Sequence, residues 1–216
     1  MLLFAGCTDS ARDEAAAAAA ALREALSELR GDVRSTLDDV GEQIEGLDDR
    51  YRSASDEVAA TWSDTRAELE EYRQRLEADL AELETAGEEE AERLKRSMAA
   101  DLEQITERVE RARLESIERG DEFVSASQER IAQLDGDLQS LEGEVASLSA
   151  EARTEAAETM EEFRDRAGEL ERKLDDLVDA TAEEIAEQRN DISQALSSLT
   201  ASVRRELFEM RQAVTE

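Results

Sequence analysis

Apolar residues recur at steps of three and four along almost the whole chain, which is the spacing of one face of an α-helix. Between Leu22 and Val58 the mean step is about 3.6 residues, the period of a straight helix. Polar and mostly charged residues fill the positions between them. The pattern therefore predicts an all-α chain of long amphipathic helices, each with one narrow apolar stripe, which we call the apolar seam.

Further along the chain, the seam repeats every eleven residues. This spacing is three helical turns at about 3.67 residues per turn, so such helices pair almost straight or with slight right-handed coiling. A heptad-like stretch interrupts the repeat from Ile131 to Leu148. We expect an elongated coiled coil or a long helical hairpin. The clearest eleven-residue rows are Leu69, Leu80, Ala91 and Leu102, and Phe163, Leu174, Ile185, Leu196 and Leu207.

Gly120 and Asp121 give the strongest break signal, because Gly suits a helix end and Asp suits the cap of the next helix. A bend there divides the helical region into arms of nearly equal length, 22–119 and 122–216, which can fold back on each other. The alternative is an unbent helix, since the seam also continues through this point. Unbent, residues 10–216 would span about 310 Å, and a hairpin about half of that.

The composition excludes several functions. Asp and Glu number 57 against 26 Lys and Arg, a formal net charge of −31, which repels phosphate backbones and so argues against nucleic-acid binding. With no His and one Cys, the chain lacks a zinc site and a Ser–His or Cys–His catalytic pair. A narrow rod also gives its carboxylates no shielded pocket. We expect no enzyme, cofactor, metal or small-molecule substrate.

A single helix cannot leave its apolar stripe in water, because the stripe is what offsets the loss of chain entropy. The seam must therefore be covered by the chain's own second arm, by a partner helix or by a lipid surface. We expect a homo-oligomer, or a complex with another helical protein, as the partner interaction.

The chain begins with a short apolar run that ends in Phe4-Ala5-Gly6-Cys7. This segment resembles the lipobox at the end of a bacterial lipoprotein signal peptide. The resemblance implies cleavage before Cys7 and lipid on that residue, the one site residue we predict. Residues 1–6 would be the remnant of the signal peptide, and 7–21, rich in Ala, a tether to the membrane. The alternative is an ordinary chain terminus with a coincidental cysteine.

These features predict a non-enzymatic, lipid-anchored helical rod or spacer of the bacterial cell envelope, facing the periplasm or the exterior. Two alternatives stay open. The eleven-residue period is similar to that of exchangeable apolipoproteins, which implies an amphipathic protein that binds lipid surfaces, although the negative charge disfavours anionic membranes. If Cys7 carries no lipid, the chain would be a soluble, acidic, cytoplasmic coiled coil.

Overall fold

The computed structural model describes residues 7–52, 56–83, 85–146 and 150–214, and the side chains of residues 27, 29–52, 59–83, 85–87, 89–146 and 153–212. Within this part the chain is helical without any strand, which confirms the predicted all-α class. Its helices are α1 (Cys7–Tyr51), α2 (Asp56–Leu83), α3 (Glu88–Glu115), α4 (Gly120–Val145), α5 (Ala150–Leu177) and α6 (Ala182–Val214).

Successive helices run in opposite directions, as ion pairs between them show. Arg75 of α2 pairs with Asp101 of α3 at 3.0 Å. Glu68, about two turns earlier in α2, pairs with Arg108, about two turns later in α3. The paired positions move along the two helices in opposite directions, so α2 and α3 form an antiparallel hairpin. The same alternation continues to α6.

Helix α6 lies between the other helices and packs most extensively on α3 and α4. Arg205 of α6 pairs with Glu103 of α3 at 3.1 Å, and Arg189 of α6 reaches the carbonyl of Ile117, just beyond the end of α3. These two contacts make α3 and α6 antiparallel neighbours.

Two apolar clusters form the core, one in each half of the chain. We call α1–α3 the first unit and α4–α6 the second unit. The first cluster comes from the first unit except for Phe208 of α6. The second cluster comes from the second unit except for Leu114 of α3. Each unit therefore inserts one apolar side chain into the core of the other.

The two units repeat the same buried pattern. Helices α2 and α5 begin at residues 56 and 150, and α3 and α6 begin at 88 and 182, so each pair is 94 residues apart. Leu114 and Phe208 have this same separation. Buried residues that are identical at this distance are Leu47 and Leu141, Leu76 and Leu170, Leu80 and Leu174, Leu83 and Leu177, Leu102 and Leu196, Thr106 and Thr200, and Val109 and Val203.

The chain reverses direction more often than the seam predicted. A turn at 116–119 lies immediately before the bend predicted at Gly120 and Asp121, and Gly120 is the first residue of α4 rather than the end of α3. Further breaks between helices, after Tyr51, Leu83, Val145 and Leu177, divide both predicted arms into helices of about 40 to 50 Å, apart from the longer α1. A single rod or one long hairpin is therefore replaced by a folded bundle.

The eleven-residue spacing of apolar residues continues across some of these turns. Leu80 and Ala91 belong to one row, yet they lie on different helices on either side of the turn at 84–87, and both are buried. Two further positions at the same spacing fall inside turns: Gly87, eleven residues after Leu76, and Thr181, eleven residues after Leu170. Both are exposed. The period persists because both helices at each turn direct their apolar face toward the same core.

Candidate functional site

The predicted lipidation site, Cys7, is the first residue of α1, and its side chain lies outside the described residues, as do residues 1–6. The first described buried side chain on α1 is Leu29. Lipid on Cys7 therefore stays a prediction. Among the described residues, none of the helices is both long enough and apolar enough to pass through a membrane.

The apolar seam, predicted as an interaction surface, is covered by the chain's own helices. Nearly all of its described positions lie in the two apolar clusters. Among the described side chains, Val178 is the one large apolar residue that is well exposed, at 59% of its surface. The seam therefore packs between the chain's own helices, and little of it is exposed on the surface of the bundle.

The surface where the two units meet is much more polar than either cluster. We call it the unit interface; it is formed by the facing sides of α3 and α6 together with the adjoining face of α4. Small buried side chains occur on both of the helices that pack most extensively, Ala99 on α3 and Ala201 on α6. Asp101 of α3 is buried too, but it pairs with Arg75 of α2 inside the first unit. The other buried polar residues on these helices are Thr106, Glu110, Ser127, Arg130, Ser193, Ser197 and Thr200.

A buried ion pair lies at the centre of the unit interface. Arg130 Nη2 of α4 lies 3.4 Å from Glu110 Oε1 of α3, and both side chains are only 5% exposed. Arg130 also donates hydrogen bonds to Thr200 Oγ1 of α6 at 3.3 Å and to Gln133 Oε1 at 2.8 Å. Burial lowers the pKa of Arg130, and the charge of Glu110 opposes that shift. The guanidinium therefore links three helices across the interface.

The turn at 116–119, the one covalent connection between the units, is fastened by Arg189 of α6. Its guanidinium donates to the carbonyl oxygen of Ile117 and, at 3.2 Å, to that of Glu118. The same group lies 4.9 Å from the ring centroid of Phe123. Since these carbonyls follow the last turn of α3 and have no helical partner, Arg189 supplies the hydrogen bonds that a continuing helix would supply.

The aromatic residues near this end of the bundle serve packing. Tyr51 and Trp62 stack with their ring centroids 5.0 Å apart. Trp62 Nε1 donates to Asp48 Oδ1 at 2.8 Å, and the Tyr51 hydroxyl donates to the carbonyl of Ala112 at 2.9 Å. Burial, with the nearby charge of Glu115, raises the pKa of Tyr51 to about 12. This contact joins the ends of α1 and α3.

Two shallow grooves occupy equivalent places in the two units. One, of about 350 Å³, lies between α4 and α5, and the other, of about 470 Å³, lies between α1 and α2. Ile131 and Leu37, which are 94 residues apart, line the two grooves at matching positions. Within the described residues, no group of three or more acidic or Cys side chains is arranged to hold a metal ion.

Sequence reasoning missed the buried polar residues of the unit interface. Glu110 and Arg130 directly follow and precede seam residues, and the seam pattern treats such positions as part of the solvated face. Their pairing is a tertiary contact with no local signal. A local signal did exist for the start of α6, where Thr181 and Glu184 have the spacing of a capping box.

No protein-family model matches the chain, and no curated protein or solved structure matches it either.

Proposed function

We propose that this chain is a non-enzymatic structural or interaction protein of the bacterial cell envelope, a helical bundle anchored by lipid on Cys7. The observation that carries the proposal is the lipobox-like segment Phe4-Ala5-Gly6-Cys7, followed at once by α1. Helix α1 runs from the proposed anchor into the core of the first unit, where Leu29 is its first described buried side chain.

The arrangement of helix ends supports a defined orientation for an anchored bundle. Asp32, near the entry of α1 into the core, pairs with Arg211 near the end of α6 at 3.5 Å. The turn at 116–119 lies at the opposite end, since Ser116 accepts a hydrogen bond from Arg50, near the end of α1. A lipid at Cys7 would therefore leave this turn, with the turns at 52–55 and 178–181, at the end distant from the membrane.

The charge of the molecule favours attachment through the lipid alone. A formal net charge of −31 repels anionic lipid headgroups, so the helices themselves gain little from such a surface. The bundle would then function as a spacer whose partners are helical proteins or further copies of the same chain. Facing the periplasm or the exterior is the localisation that this anchor implies.

The test is the intact mass of the protein purified from its own host, expressed with the native upstream DNA. We expect a chain that begins at Cys7 and carries the added mass of diacylglycerol and an acyl group. Cys7→Ser is the matched control and should give an unlipidated protein absent from the membrane fraction. An unmodified chain that retains Met1 would overturn the proposal and favour a soluble cytoplasmic protein.

A further inference from the structure

The turn at 116–119 decides whether the two units of one chain pack on each other. We propose that this turn can straighten into helix, so that two copies of the chain exchange units and form a dimer. In that dimer α3 and α4 are one continuous helix, and the unit interface joins α3 of one copy to α6 of the other. The inference deepens the self-association part of the proposed function and does not depend on lipid at Cys7.

The contacts across the unit interface can form equally well between copies. They are side-chain contacts on surfaces that face each other: Glu103 with Arg205, Leu114 in the second cluster and Phe208 in the first. None of them involves the turn itself. An exchanged dimer therefore keeps every one of these contacts and alters only the connection, which is the usual basis of domain swapping.

The residues around the turn are compatible with helix. Ala112, Ser116, Gly120 and Val124 continue the helical spacing of the seam across the turn, and the chain contains no proline. In a continuous helix the carbonyls of residues 117 and 118 would accept hydrogen bonds from the amides of residues 121 and 122. The dimer thus replaces the hydrogen bonds that Arg189 donates in the closed form with backbone ones.

The polarity of the unit interface lowers the barrier to opening. Thr106, Ser193 and Ser197 are buried there, whereas each apolar cluster is largely complete within its own unit. Separating the units therefore exposes hydroxyl groups that water can hydrogen-bond, together with the Glu110–Arg130 pair. Among the buried members of the two described clusters, Leu114 and Phe208 are the ones that must leave a cluster of the other unit.

Exchange can be detected by mixing two single-cysteine variants of the full chain, both carrying Cys7→Ser. One has Glu103→Cys and the other, marked by a tag of different mass, has Arg205→Cys. After co-incubation, a short bismaleimide should join the two copies into a covalent heterodimer on a denaturing gel. The double variant with both cysteines in one chain, treated as a dilute monomer, should become linked internally and should no longer exchange.

A proline at the turn separates exchange from simple side-by-side association. Arg119 has φ −83° and ψ 135° in the closed form, a backbone geometry that proline tolerates, whereas a proline inside a continuous helix is strongly unfavourable. Arg119→Pro should abolish the heterodimer, while the matched control Arg119→Ala should keep it. Circular dichroism of both variants verifies that each one folds.

Removing Arg189, which hydrogen-bonds the turn in the closed form, should increase the formation of the exchanged dimer. Arg189→Ala leaves the turn carbonyls without their donor in the closed form only, so we expect the dimer fraction in light scattering to rise about tenfold. Arg172→Ala is the control, because Arg172 donates only to the carbonyl of Gly168 within its own helix. These measurements do not require the proline variant to fold.

Two results would overturn the inference: no heterodimer at any concentration with Arg189→Ala, or a heterodimer that persists unchanged in a folded Arg119→Pro variant. The second would mean that copies associate through their outer surfaces. Because Cys7 is replaced throughout, either failure leaves the proposed lipid anchor unaffected, and a failure of the anchor leaves the exchange intact.

Discussion

Tyr51 shows how a single side chain can hold two helix ends together in a chain with few aromatic residues. Its ring stacks on Trp62, and its hydroxyl donates to the carbonyl of Ala112 on α3. The hydroxyl must be protonated to donate, and burial disfavours the phenolate. Its pKa is consequently raised from 10 to about 12.

Because the folded state holds this proton more tightly than the unfolded state, Tyr51 contributes stability that is present below pH 10 and is lost as the pH rises through about 12. We predict that Tyr51→Phe lowers the free energy of unfolding by about 1 kcal/mol near neutral pH, through the lost hydrogen bond. The deficit should shrink and then reverse as the pH rises above 10. Urea unfolding at several pH values measures it.

Tyr72→Phe is the matched control, since it removes the other tyrosine hydroxyl of the chain and leaves the Tyr51 contact with Ala112 in place. Because it keeps the hydrogen bond from Tyr51 to Ala112, it should lose less free energy of unfolding at neutral pH than Tyr51→Phe. A Tyr51→Phe deficit that stays constant up to strongly alkaline pH would contradict the buried, proton-donating role of Tyr51.

At the scale of the element, the start of α6 has a complete local signal, a reciprocal capping box. Thr181 Oγ1 accepts a hydrogen bond from the amide of Glu184 at 3.4 Å. The Glu184 carboxylate accepts in return from the amide and the hydroxyl of Thr181, both at 2.8 Å. These bonds lower the pKa of Glu184 and define where α5 and α6 separate.

We predict that Thr181→Ala lowers the free energy of unfolding by about 1 kcal/mol, because the amides of the first turn of α6 lose their acceptor. Thr65→Ala makes the same chemical change inside α2, where the hydroxyl donates a hydrogen bond back to the carbonyl oxygen of Thr61. That control should be neutral or slightly stabilising. Urea titrations that give the two variants equal losses would contradict the capping role.

The helical class and most of the buried positions could be predicted from the sequence, whereas most of the turns could not. The heptad-like residues Ile131, Leu134 and Leu138 are all buried. So are the row members that flank the turns at 84–87 and 178–181, namely Leu80, Ala91, Leu174 and Ile185. Four-residue breaks leave this spacing almost undisturbed, and the chain has no proline to mark them. The local signals are Gly87, the pair Gly120 and Asp121, and the cap at Thr181. The apolar spacing therefore continues across most helix ends and does not mark them.

At the scale of the whole molecule, the central feature is the pairing of two similar three-helix units through α3 and α6. Its polar contacts, such as Glu110 with Arg130, depend on which helices meet, and the spacing of residues along one helix cannot specify that. The 94-residue repeat is visible in the sequence when its two halves are compared directly, whereas the spacing within one helix does not show it. Cys7 is a prediction from the sequence alone, because its side chain lies outside the described residues.

The central claim, that the seam closes the chain into a bundle, is tested most directly by small-angle X-ray scattering. The sample is the full chain with Cys7→Ser, measured on the monomer peak from size-exclusion chromatography. We predict a longest dimension close to the length of α1, about 70 Å. A longest dimension above about 150 Å, as an extended helix or one long hairpin would give, would contradict it.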